Sequence, residues 1–448
     1  MNVLTIITDT MRIDDLGCFG NEMVKTPHLD RLAAEGARFG RYYTEGLPTV
    51  PARRAYDTGR FTLPSYGWQP LEPDEVLLQE VLWERGYLTA FVSDVYHLFK
   101  PHMGFGRGFG HVHAVRGREL DPWIDAGDVS DAVEKHYREP DDGETLSKWY
   151  TRETLTQYLR NRIPFGAADG WKHEDDHFAA QVARAAVAWL EQCVRAGRKD
   201  KLYLCVDIFA PHAPIDPPPP YDRMYTDPDS TSKDIIIPRV GPIEGYFSAE
   251  ELDHLRRHRA GFVTFVDRCV GVLLDWMGDH GMLEDTLIVY VSDHGDFFGE
   301  HGLLMKCRPW PYDILSHAPL IIRHPECGHG TEPRTFAQST DLMPTVLDAL
   351  CIPLPESVQG VSLLPAVADE EEMLREFAVA GFHKRSESIR DGEWSYYRWL
   401  GKNDEKTDPE LFHLAEDPAE MKDVIADHRE VAARLDQRLS AFMDGVRS

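Results

Sequence analysis

The chain has 448 residues, enough to bury a large core and more than one domain of ordinary size requires, so one large domain with a smaller appendage is expected. Its 75 acidic residues outweigh 48 basic ones, and a formal net charge of -27 repels nucleic acid and anionic membranes over most of the surface. An anionic substrate therefore needs a local cluster of metal, Arg and Lys to reverse that field.

The first strand is read at 3–8, a β-branched apolar run of the kind buried in a parallel sheet. It ends in Asp9, at the carboxyl edge where open α/β sheets place ligands. It follows Met1-Asn2 directly, which leaves no room for a signal core, and no apolar run is long enough to span a bilayer; both point to a cytoplasmic protein. Thr26-Pro27 opens a helix that Gly36 closes. Next comes Leu47-Pro48-Thr49-Val50-Pro51-Ala52-Arg53, which puts a hydroxyl, a proline and a fixed cation together at a helix start. The helix dipole and the guanidinium both favour the anion that such a hydroxyl would attack, although a Thr-x-Pro-x-Arg loop is also an ordinary capped helix entry.

A helix at 76–85 leads to a second buried strand at 87–93, followed by Asp94, Tyr96, His97, Lys100 and His102. From 111 to 173 the composition shifts, with Trp123, Trp149, Tyr150 and Trp171 among many acids. This stretch reads either as an insertion over the sheet edge that sets substrate choice or as a partly ordered acidic loop. A long helix at 175–196 precedes a third strand at 202–208, which runs out into Pro211-His212-Ala213-Pro214. A helix at 249–276 is followed by a strand at 286–292 that ends in Asp293-His294-Gly295-Asp296. A fifth strand lies at 319–323 and a helix at 341–350. Beyond 365 the pattern changes to short strands at 377–381, 387–390, 394–400 and 411–414 and a final helix at 430–443. The expected architecture is an α/β domain at 1–365, a mostly parallel sheet flanked by helices, with a smaller α+β domain at 366–448. The seven cysteines are scattered without a CxxC pair and read as reduced thiols.

Asp9, Thr49, Asp293 and His294 all fall at strand ends or in the loops after them, so one rim can gather them. Two carboxylates, an imidazole and a hydroxyl suit one divalent ion, Zn, Mn, Mg or Ca. Such an ion would lower the pKa of the Thr49 hydroxyl. An Asp-His pair after a strand is also a common turn with a satisfied histidine.

Further motifs accompany these residues: Asp9-Thr10, Asp15-Leu16-Gly17-Cys18-Phe19-Gly20-Asn21, Thr26-Pro27-His28-Leu29-Asp30, and Thr49 to Arg53 with Thr58-Gly59-Arg60. Together they resemble the N-terminal signature of the sulfatase family in the alkaline phosphatase superfamily. Ser292-Asp293-His294-Gly295-Asp296 with Lys306 and Tyr312-Asp313 is similar to the family's second metal block, Pro211-His212 to its substrate-binding histidine, and Phe412-His413-Leu414-Ala415-Glu416-Asp417-Pro418 to its C-terminal motif. The blocks occur in family order over nearly the whole chain. The resemblance implies an alkaline-phosphatase-like fold and a hydrolase of phosphate or sulfate esters.

The departures are informative. Sulfatases carry Cys or Ser, converted to formylglycine, where this chain has Thr49; a threonine resembles instead the phosphodiesterase branch, in which a phospho-threonine is resolved by water. Thr10 replaces the second acid of an Asp-Asp pair and His294 the amide of an Asp-Asn pair, giving a metal set like that of phosphonate monoester hydrolases. Asp313-x-x-x-His317 has the spacing of a second metal site but the wrong order, and reads as scaffold. The implied roles are Thr49 as nucleophile, Arg53 and Lys306 on the non-bridging oxygens, and His212 or His97 protonating the leaving oxygen. Thr10, Tyr96, His97, Lys100 and His102 would bind the substrate. The favoured expectation is a metal-dependent phosphate-ester or phosphonate-monoester hydrolase acting on a small anionic ester. A sulfate-ester hydrolase comes second and a catalytically degraded anion-binding protein third. A homo-oligomer is left open.

Overall fold

The computed structural model describes residues 1–140, 150–401 and 407–447, so residues 141–149 of the expected insertion, Trp149 included, lie outside the described residues. The main sheet is built from β1 (Asn2–Asp9), β2 (Ala37–Arg38), β3 (Leu88–Ser93), β4 (His111–Ala114), β5 (Leu202–Pro211), β6 (Thr286–Ser292) and β7 (Leu320–Arg323). Their spatial order is β2-β7-β6-β1-β5-β3-β4. Strands β6, β1, β5, β3 and β4 run parallel, while β7 is antiparallel to β6 and β2 is antiparallel to β7.

Every residue of β1 is buried, which is why its sequence is continuously apolar rather than alternating. Successive side chains still point to opposite faces: Leu4 and Ile6 join one core, Val3 and Ile7 the other. The helices that cover these faces are α1 (Pro27–Ala34), α2 (Thr49–Thr58), α3 (Phe178–Arg195), α4 (Ala249–Asp279) and α5 (Leu342–Ala349). The long α4 begins with a capping box, the Ser248 hydroxyl accepting from the Glu251 N–H at 3.2 Å and the Glu251 carboxylate from the Ser248 N–H at 2.9 Å.

The remaining strands β8 (Ala378–Phe382), β9 (Ser386–Arg390), β10 (Trp394–Trp399) and β11 (Glu410–His413) form an antiparallel meander. Helix α6 (Arg429–Arg447) covers it with Ala432, Leu435, Leu439 and Met443, the three- and four-residue spacing of one helical face. Gly46–Leu47 adds to this sheet in parallel with β8, so the segment that leads into Thr49 is stitched to the C-terminal sheet. No described helix is long and apolar enough to cross a membrane.

Candidate active site

The parallel strands all end on one rim. Asp9 closes β1 and Asp293 follows β6; because Thr8 is in register with Ser292, the two carboxylates emerge side by side. Ligand atoms of Asp9, Asp293 and His294, all buried, lie within 4.8 Å of one another, and no other group of three or more Asp, Glu, His or Cys side chains among the described residues is gathered this closely. Asp293 Oδ1 accepts the backbone N–H groups of Thr10 at 3.0 Å and His294 at 2.8 Å. Thr10 is held at φ 61°, a left-handed conformation that costs a β-branched residue about 1–3 kcal/mol. Its N–H bond to Asp293 and the Arg259 bond to its carbonyl, at 2.8 Å, keep it there.

The tautomer of His294 follows from its partner. Nδ1 lies 2.7 Å from the Gly295 carbonyl oxygen, which can only accept, so Nδ1 carries the proton. Nε2 then presents a lone pair 3.4 Å from Asp293 Oδ2, and no hydrogen bond reaches it. Both Asp9 oxygens are likewise buried without a hydrogen bond. Acceptors facing one another in a dry site call for a cation between them, and one imidazole nitrogen with two carboxylates suits a divalent ion. Burial, then the charge of Asp293, pushes the Asp9 carboxyl well above its ordinary range. Burial would raise Asp293 too, but the charges of His294, Arg53 and Lys306 hold it at about 2. Burial lowers His294 to about 4, which keeps it neutral and able to ligate.

Thr49 is the buried first residue of α2, and Arg53 is one turn on. The helix stops at Gly59, whose φ of 63° is left-handed and whose N–H reaches the Ala55 carbonyl at 2.9 Å. Spacing alone would give Arg53 to the oxygens of an ester; in the structure its donors meet protein acceptors. Its Nε and Nη2 bind Asp207 at 2.8 Å each, Nη1 binds Asp293 and the Thr49 carbonyl at 3.4 Å, and Nη2 also lies 3.4 Å from Asp9. All five guanidinium N–H groups face protein acceptors. Arg53 therefore clamps three carboxylates against the start of α2. Lys306, with Nζ 3.7 Å from Asp9 Oδ1, is the neighbouring cation that solvent still reaches.

The other expected residues divide. His212 is buried and stacked on Phe209 at 4.1 Å, its Nδ1 bound to the Ala213 carbonyl at 2.5 Å. His97 binds Glu119 through Nε2 at 2.8 Å, and Lys100 lies over the Tyr96 ring at 4.9 Å. His102 is exposed on the turn beyond and makes no bond to the carboxylate cluster.

A family model described as "Sulfatase" matches residues 1–352, and one described as "N-sulphoglucosamine sulphohydrolase, C-terminal" matches residues 299–444. The chain belongs to the sulfatase family. It is 26% identical over 466 aligned positions to an arylsulfatase of Clostridium perfringens, with 95% of this chain and 90% of that protein covered. It is 24% identical to arylsulfatase K of Bos taurus, covering 99% of this chain and 82% of that protein. Among solved structures, the phosphonate monoester hydrolase of Agrobacterium radiobacter superposes with a TM-score of 0.77 at 23% identity, covering 100% of this chain and 95% of that one. The phosphonate monoester hydrolase of Silicibacter pomeroyi gives 0.74 at 23% identity, covering 98% and 94%. The fold is thus alkaline-phosphatase-like, and the protein is an ester hydrolase of sulfuric or phosphoric esters.

In this sulfatase-family chain several residues around the rim escaped the sequence reading. Asp207, the bidentate partner of Arg53, is a lone acid inside the apolar run of β5, a position that could not be buried without a cation. Arg118, fully buried, donates to the His212 carbonyl at 2.7 Å. Tyr150, from the stretch read as an insertion, places its hydroxyl 3.2 Å from His212 Nε2. Since Nδ1 of His212 is the protonated nitrogen, Tyr150 donates and Nε2 accepts. Asp296 is buried with neither oxygen hydrogen-bonded.

Proposed function

We propose that this hydrolase cleaves a phosphate ester, a mono- or diester or a phosphonate monoester, with Thr49 as nucleophile. The observation that carries this reading is the acceptor set of Asp9, Asp293 and His294, with its unpartnered lone pairs, beside a threonine at a helix N-terminus. A divalent cation held by these residues would lower the pKa of the Thr49 hydroxyl and offset charge on the ester oxygens. Thr49 Oγ, its proton released to solvent, attacks phosphorus, and the bond to the leaving oxygen breaks. Water then attacks the phospho-threonine, and the P–O bond to Thr49 breaks to restore the hydroxyl. Lys306 neutralises the non-bridging oxygens, while Arg53 keeps the carboxylates in register. Tyr150, whose proton is shared with His212, is the O–H that meets the leaving oxygen.

Sulfate-ester hydrolysis is the second reading, favoured by the arylsulfatases among the relatives. Purified, metal-loaded protein should be assayed on an aryl phosphate, an aryl phosphodiester, an aryl phosphonate monoester and an aryl sulfate. Turnover of the phosphorus esters, abolished by Thr49→Ala and retained by Thr49→Ser, is the expected result. Turnover of the sulfate alone, or an active Thr49→Ala, would overturn it. No turnover with anion binding intact would mark a degraded site.

A further inference from the structure

The buried Arg53, Arg54, Arg162 and Arg259 each hold an acid at 2.8 Å or closer: Asp207, Glu75, Asp216 and Asp15 in turn. Arg118 breaks the pattern. It is fully buried, the acid it faces is Asp94, with Oδ2 3.9 Å from Nε, and neither Nε nor Nη1 finds a hydrogen-bond partner among the described residues. Its guanidinium lies instead among the rings of Phe209, Tyr158 and Phe262, at 5.6, 5.7 and 5.9 Å. Its hydrogen bond runs from Nη2 to the His212 carbonyl at 2.7 Å. A charge buried on such terms costs stability, and what it gains is a hold on one turn.

That turn spans Phe209 to His212 at the end of β5. The His212 N–H closes it on the Phe209 carbonyl at 3.0 Å, Asp94 Oδ1 accepts the Phe209 N–H at 2.7 Å, and Arg118 binds the His212 carbonyl at the other end. Pro211 within it is in register with Asp9, so the turn sits on the rim beside the carboxylates. Phe209, one of the rings around Arg118, stacks on the His212 imidazole at 4.1 Å, and His212 Nε2 faces the Tyr150 hydroxyl at 3.2 Å. Burial, then the charges of Lys306 and Arg118, lowers His212 well below the ordinary histidine range and keeps Nε2 an acceptor.

We propose that Arg118 is a positioning residue for the proton-donating pair: with Asp94 it clamps both ends of the turn, so that His212 Nε2 meets the Tyr150 hydroxyl. This rests on the reading that Tyr150 protonates the leaving oxygen, and not on whether phosphorus or sulfur is attacked. Arg118 itself touches no reacting atom.

The test is the leaving-group dependence of turnover by the metal-loaded, full-length protein, on 4-nitrophenyl and phenyl esters of whichever acid it hydrolyses. Nitrophenolate leaves without a proton and phenolate needs one. Arg118→Met should therefore lower kcat on the phenyl ester roughly tenfold or more, leave the 4-nitrophenyl ester within about twofold, and hold KM constant on both. Tyr150→Phe should show the same split, and Arg118→Lys, which keeps a charge and a donor, should recover most of the loss. A split in Tyr150→Phe that Arg118→Met does not share, or an equal loss on both esters, would overturn the positioning role. A readout free of activity is the ¹⁵N spectrum of histidine-labelled protein, with His212 assigned by its loss in His212→Gln. The native signal should be that of the Nδ1–H tautomer, and Arg118→Met should average it with the other tautomer. If Arg118→Met does not fold, Arg118→Gln, which lacks the charge, is read the same way. A His212 signal that neither variant changes would sink the proposal, even in a chain that turns nothing over. An altered signal in a chain without turnover, or without a split in Tyr150→Phe, would keep the clamp and remove the hydrolase or leaving-group reading instead.

Discussion

Asp293 with His294 and Asp313 with His317 use the same two residue types a short distance apart in the chain, and their surroundings differ completely. Around Asp313 every acceptor is answered: Oδ1 takes the Tyr43 hydroxyl at 3.0 Å and Arg390 at 2.9 Å, and Oδ2 faces His317 Nδ1 at 3.2 Å. His317 spends Nε2 on the Gly40 carbonyl at 3.0 Å and stacks on Tyr43 at 4.6 Å. Burial would raise the Asp313 carboxyl, but Arg390 and His317 hold it below the ordinary range. Around Asp293 the imidazole nitrogen points its lone pair at a carboxylate oxygen, and Asp9 adds two more unbonded oxygens. One pair is a rivet between the two sheets and the other an open valence. Residue type does not separate them; unspent acceptors do.

The sharpest way to break this comparison is to neutralise each aspartate. Asp293→Asn should lower turnover on the order of a thousandfold, because the cation site loses a charge, and a chelator should then remove little more. Asp207→Asn strips Arg53 of its bidentate partner in a buried place and should cost about 3–5 kcal/mol in urea unfolding. Asp313→Asn should cost less, about 1–3 kcal/mol, since Glu420 still holds Arg390. The folded Asp313→Asn variant should keep the metal dependence of the native chain in the same chelator titration. If it loses that dependence, the second pair is not merely a rivet.

Much of this contrast was legible in the residues. Strands β1 and β6 are continuous apolar runs with an acid at the end, and parallel strands buried on both faces read that way. What the chain could not reveal was how many acids surround one cation. Spacing puts Arg53 one turn after Thr49, but the three carboxylates that consume its donors come from β1, β5 and the end of β6. Strand β4 was missed because its His-Val-His core is largely exposed at the sheet edge and lacks an apolar signature. Tyr150 is a lone aromatic in an acidic stretch, and only the fold brings it to His212.

Asp57 offers the mildest test, because it is an acid under burial with neither a cation site nor a rivet around it. It lies on α2, and its bonded partner is the Gln79 amide at 3.4 Å. Burial, assisted by the charges of Asp207 and Glu75, pushes its carboxyl up to about 7, while the Gln79 Oε1 stays without a donor. A raised carboxyl pKa means that the folded chain keeps a proton the unfolded chain has already lost. Stability from this group is therefore full at acid pH and falls as pH rises from about 4 through about 7. Asp57→Asn should remove that slope, leave stability near pH 4 little changed, and make the protein more stable than the native chain at pH 8, where its amide can donate to Gln79. Urea unfolding across that range checks it. A native slope that persists in Asp57→Asn would place the titration elsewhere, and would mean that an unspent carboxylate on this face is tolerated in its charged form without any ion to answer it.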